Sequence, residues 1–189
     1  MVMSIRRLAR VLALQTLFEV DSSGHGGLEV LARHLEEHGL AGEGADFARA
    51  LVTGVTEHVG ELDEIIAAAA PNWPMDQMAK VDKNILRLAI QELLFDVDVP
   101  LKAAINEAVE LGKRFGSDSS SRFINGVLGT VALQVERRRA SQASRRKRVV
   151  AAAPEPLVEP GPELSELHGW LDEPGGEPPA SETDDLPPG

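Results

Sequence analysis

Arg6, Arg7 and Arg10 lie in the segment Ser4-Ile5-Arg6-Arg7-Leu8-Ala9-Arg10-Val11-Leu12, which reads as a helix start with Ser4 as its N-cap. A helix N-terminus carries partial positive charge, so three cations in the first turns oppose the dipole. Helical spacing predicts Ile5, Leu8 and Leu12 on one side and the arginines on the other. A solvated face explains that pattern; so does an anionic partner, because guanidinium pairs with phosphate and stacks on bases. Arg122-Phe123 sets a cation beside a ring at the start of the last predicted helix. Asp82, at the start of another predicted helix, serves the dipole there as an acid in the first turn. Phe18 and Phe123 also keep register with apolar neighbours, so a core role is open for both.

Catalytic chemistry finds little support. The chain has no Cys and no glycine loop suited to cradling phosphate. His34 and His38 stand four apart with only Glu36 and Glu37 as local acids, so no metal site, cofactor or enzymatic activity is expected. No apolar run approaches the roughly 18 residues of a membrane span. The basic N-terminus followed by Val11-Leu12-Ala13-Leu14 is interrupted by Gln15, Thr16 and Glu19, and reads as a core helix rather than a signal peptide.

The elements that would position these residues are helical. Aromatics make up 4% of the 189 residues and Tyr is absent, so Leu, Ile, Val and Ala must supply the core. Helix one runs from about Ser4 to Val20. Leu28, Leu31 and Leu35 mark a second helix, ended near Gly39. Phe47 through Ile66 suggests one long third helix, with Gly54 and Gly60 as points of bending. Pro71-Asn72-Trp73-Pro74 breaks the chain into two helical halves, with Trp73 packed at the junction. Amphipathic helices follow from Val81 to Phe95, from Pro100 to Phe115, and from the caps at 117–120 onward. The expectation is an all-α body of about seven helices over residues 1–144.

Residues 145–189 begin basic and turn acidic. All 19 Lys and Arg lie within residues 1–148, while 149–189 holds ten acids, nine prolines and five glycines. That composition predicts a disordered tail. The island Leu164-x-x-Leu167-x-x-Trp170-Leu171 reads either as scattered apolar residues or as a short helix folding on a partner.

Five segments in order resemble the NusB family of bacterial transcription antitermination factors. They are Arg6-Arg7-Leu8-Ala9-Arg10 with Ala13-Leu14-Gln15-Thr16-Leu17-Phe18; Val81-Asp82-Lys83-Asn84-Ile85-Leu86-Arg87-Leu88; Val99-Pro100; Ile105-Asn106-Glu107-Ala108-Val109-Glu110-Leu111; and Phe123-Ile124-Asn125-Gly126-Val127-Leu128. The resemblance implies a seven-helix bundle in two halves. It implies binding of boxA RNA in ribosomal RNA leader transcripts together with the small ribosomal protein NusE, and action on elongating RNA polymerase in the cytoplasm. It carries RNA contact onto Arg6, Arg7, Arg10, Phe18, Asp82, Arg122 and Phe123. Phe18 stands where the family usually has Tyr, and Asp82 where the usual acid is longer. Some members self-associate, so a homodimer is open. The alternatives are a helical adaptor binding protein alone, and a non-catalytic relative of the RNA-binding domain of ribosomal RNA methyltransferases.

Overall fold

The structure, a computed structural model, describes residues 3–95 and 99–151, with side chains as far as residue 137. Its described residues form seven helices and no strand: α1 (Ile5–Ser23), α2 (Gly27–Glu37), α3 (Glu43–Glu57), α4 (Val59–Ala69), α5 (Lys80–Phe95), α6 (Leu101–Phe115) and α7 (Ser120–Ala151). The chain divides into a unit Met1–Arg146 and a unit Lys147–Gly189, the latter described only to residue 151. The acidic stretch and its Leu164–Leu171 island lie outside the described residues. No described helix is long and apolar enough to cross a membrane.

Helix α1 starts as expected: the Ser4 hydroxyl accepts from Arg7 N at 3.3 Å. It ends at Gly24, whose φ of 76° is the left-handed conformation glycine adopts without steric cost. The expected long third helix is two. His58 ends α3 and begins α4 with φ −107° and ψ 14°. Its Nδ1 lies 2.9 Å from Gly54 O and 3.3 Å from Gln91 Oε1, and its ring stacks on Phe95 at 4.4 Å. A histidine held on three sides, rather than a flexible glycine, makes the break.

Helices α1, α2 and α3 pack mutually; α5 packs against α4 and α6 and also meets α1 and α3. The two halves therefore share one core, centred on α5. Leu12, Leu62, Ile66, Ile85, Leu86, Ile90, Ile124 and Leu128 are fully buried there.

Helix α5 is not amphipathic in its surroundings. Asn84, Arg87, Gln91 and Glu92, which a sequence pattern assigns to solvent, are also buried. Each finds a polar partner. Asn84 Nδ2 donates to Asp21 Oδ2 at 3.0 Å, and Arg87 donates through Nε and Nη2 to both oxygens of Asp63 at 2.7 Å. Burial works against the Arg87 charge, but Asp63 and then Asp21 outweigh it and hold its pKa above the ordinary value.

The α6–α7 corner depends on close approach. A Cβ on Gly116 would collide with the Ser120 side chain and stand 2.7 Å from Gly112 O. Gly116→Ala is expected to lower the unfolding free energy by about 1–3 kcal/mol through overpacking, read from the urea midpoint at constant slope. An unchanged midpoint contradicts this packing.

Candidate nucleic-acid interface

The three arginines of α1 do not form one face. Ile5 is 62% exposed whereas Arg10 is 6% exposed, the reverse of the expected sides. The cause is that α1 has neighbours on both flanks. Arg10 donates through Nε and Nη2 to the two oxygens of Glu92 at 2.8 and 2.6 Å, and its Nη1 lies 3.9 Å from Glu107. Arg7 donates to Glu107 in the same forked manner, at 2.9 and 2.6 Å. That hydrogen bond holds the Glu107 carboxyl below the usual carboxylate range. The contribution of the pair is accordingly present above the ordinary carboxylate pKa and lost as pH falls through the lowered value. Arg6 is exposed, with its guanidinium over the Phe47 ring at 5.1 Å; Arg10 lies over the same ring at 5.2 Å. Internal carboxylates and a ring thus supply much of the compensation that the sequence suggested an external anion would give.

A groove of about 700 Å³ runs beside this cluster, lined by Met3, Arg7, Glu107, Leu111 and Arg114 among others. Two acids, Glu107 and Glu110, line it with the cations.

Helices α1 and α5 run antiparallel, since Arg10 meets Glu92 at one end and Asp21 meets Asn84 at the other. Asp82 precedes Glu92 by ten residues, roughly 15 Å along the axis. It therefore lies at the opposite end of α5 from the arginines. The Asp82 side chain is largely buried, and its Oδ1 has no hydrogen-bond partner. Phe18, one turn before Asp21 on α1, comes to this same end and is 41% exposed rather than core. Lys80 Nζ donates to Asp21 O at 3.0 Å and fixes the two helix ends together.

Arg122 is exposed in the first turn of α7, and Phe123 beside it is half-buried. Phe123 meets Trp73 edge-on, with ring centroids 5.6 Å apart at 61°. Trp73 lies on the connection leading into α5 and is 58% exposed, not packed at the junction as expected. Arg122 and Phe123 are thus joined to the segment that delivers Asp82. The last turns of α6 link this end to the arginine cluster: Arg114 lines the groove beside Arg7, while Gly112 packs on Ser121.

Sequence reasoning missed Trp73 and Arg114. Trp73 lies between Pro71 and Pro74, where no helical register exists to bury it; that isolation was the available signal. Among the described residues, His34, Glu37 and His38 bring one ligand atom each within 4.8 Å of one another, a set able to hold a metal ion at the end of α2. It lies on α2, none of whose residues belongs to the groups above.

The NusB family model matches residues 7–133. Transcription antitermination protein NusB from Roseiflexus sp. (strain RS-1) is 56% identical over 138 residues, 72% of this chain and 97% of that protein. Among solved structures, T. maritima NusB has a TM-score of 0.64 and 31% identity, covering 70% of this chain and 92% of that one. A complex of antitermination factors NusB and NusE with dsRNA has a TM-score of 0.64 and 27% identity, covering 70% of this chain and 99% of that one. The chain belongs to the NusB family of transcription antitermination factors. The names these relatives carry are those of a transcription factor and not of a catalyst.

Proposed function

We propose that this protein binds the boxA element of ribosomal RNA leader transcripts together with NusE, and that the complex joins elongating RNA polymerase in the cytoplasm to favour antitermination. What supports the reading is the unpartnered, buried Oδ1 of Asp82 in the first turn of α5, the end to which Phe18 also comes, with Phe123 touching Trp73 on the connection that leads into that helix. Buried polar atoms are normally hydrogen-bonded, so this orphan acceptor, which lies beneath the surface, suits a base donor that displaces what covers it. The solved complex of a similar chain with NusE and dsRNA supports NusE and RNA as partners. In this proposal Phe18 and Phe123 stack on bases, Asp82 accepts from a base edge and Arg122 pairs with phosphate. Arg6 and Arg7 reach the strand from the far end, past Arg114. Arg10 acts by holding α1 on α5.

Fluorescence polarisation of a labelled boxA RNA and a scrambled control, with and without NusE, tests the reading. Tighter binding of boxA, enhanced by NusE, is expected; equal binding of both RNAs contradicts it, and NusE binding without any RNA binding makes the protein an adaptor. With about three to five phosphates neutralised, log affinity should fall with log salt at a slope of roughly −2 to −3.5. A flat response removes the phosphate contacts from the mechanism.

A further inference from the structure

Trp73 has no role in the RNA contacts proposed above, yet it is a large exposed ring on the connection that leads to Asp82. Its position is built rather than frayed. Trp73 N donates to Ala70 O at 2.9 Å and Gln77 N donates to Pro74 O at 3.0 Å, while Ala70 and Met78 on either side are buried. Two turns anchored at both ends therefore hold the indole out. Among the described residues its one ring contact, with Phe123, is edge-on, and such a contact cannot cover both indole faces.

The space beside it is a groove of about 400 Å³, walled by Ala70, Pro71, Trp73, Ser119, Arg122 and Phe123 among others. Among its described lining residues Arg122 is the one charged side chain, and no acid is present. The larger groove at α1 differs, because Glu107 and Glu110 line it beside its cations. An apolar wall with a lone guanidinium at its edge matches a nucleotide in both parts, the base against the rings and the phosphate against the charge.

We infer that Trp73 is a stacking platform for an unpaired base of the bound RNA, and that with Phe123 and Arg122 it forms a nucleotide subsite on the α4–α5 connection. The inference rests on the RNA-binding reading above and adds a residue to it. The protein has two tryptophans, Trp73 and Trp170, so Trp170→Phe in the full chain leaves Trp73 as the sole reporter.

Labelled RNA gives affinity by polarisation while unlabelled RNA is followed by indole emission. In the Trp170→Phe protein, boxA RNA is expected to quench Trp73 emission with the same midpoint as the polarisation curve. Trp73→Ala should weaken RNA binding by about tenfold, and Trp73→Phe should restore most of it. The thermal midpoint of Trp73→Ala should stay near that of the parent, since the indole is mostly solvent-exposed. RNA binding with unchanged emission and an unaffected Trp73→Ala overturns the subsite while leaving RNA binding standing. Absence of all RNA binding overturns both. An emission change with NusE and none with RNA assigns the groove to a protein partner and also overturns the inference.

Discussion

Arg10→Ala should lower the unfolding free energy by about 3–5 kcal/mol, the largest single effect expected from the cluster that opens α1. The substitution leaves the Glu92 carboxylate, with a side chain 2% exposed, buried and deprived of its forked partner. The full cost of an uncompensated buried charge then falls on the folded state. Glu92→Ala should cost a similar amount from the other side. The double substitution Arg10→Met/Glu92→Leu should recover much of the loss, because apolar side chains of similar volume remove both desolvation penalties together. Urea unfolding of the three variants at constant slope measures this. A loss under 1 kcal/mol in both single variants would mean that the pair is solvated, and Arg10 would return to the set of exposed cations. The consequence for RNA work is direct: weaker binding by Arg10→Ala reports the unfolded fraction as well as any lost contact, whereas Arg6→Ala removes an exposed guanidinium of this helix without breaking an ion pair among the described residues.

Asp82→Ala should reduce the preference for boxA over scrambled RNA by about 5- to 150-fold, corresponding to roughly 1–3 kcal/mol for a lost base-edge contact. Stability should not fall with it. Removing a carboxylate from the first turn of α5 costs about 0.3–1 kcal/mol of dipole interaction, whereas relieving an unsatisfied buried acceptor returns about 1–3 kcal/mol. The expected variant is therefore no less stable than the wild type, and less selective. Competition binding with both RNAs, alongside a denaturant melt, separates the two readings of this residue. Lower stability with intact selectivity would make Asp82 a helix-terminal acid and nothing more.

Much of the fold was written in the order of apolar residues. Leu28, Leu31 and Leu35 gave α2; Ile85, Leu88 and Leu93 gave α5; the turn at Pro71–Pro74 gave the division into halves. Periodicity failed where a polar residue is satisfied by a partner distant in sequence. His58 splits α3 from α4 by engaging Gly54, Gln91 and Phe95, and only the Gly54 contact is local. Arg10 is buried because Glu92, 82 residues away, receives it. The buried face of α5 is a column of such pairs, and its charged letters look like a solvent face until Asp21, Asp63 and Arg10 are brought to it.

The candidate site divides in the same way. Arg122-Phe123 and Asp82 entered the candidate site through the family resemblance, because a ring in core register and an acid opening a helix each have an ordinary structural reading of their own. The separation of the α1 arginines from Asp82 by the length of α5 was not legible, since it follows from an antiparallel packing that no local pattern encodes. Phe18 kept helical register with core residues yet is 41% exposed, on a side of α1 that register alone does not distinguish.

Base recognition at the Asp82 end of the bundle, with the α1 arginines in a supporting part, is the central proposal. Photo-crosslinking of boxA RNA carrying 4-thiouridine, with NusE present and the linked peptides mapped by mass spectrometry, tests that placement most directly. Crosslinks to the segments containing Trp73, Asp82 and Arg122-Phe123 are the predicted result. Crosslinks confined to the start of α1 and the Arg114 groove, with none to those segments, contradict it.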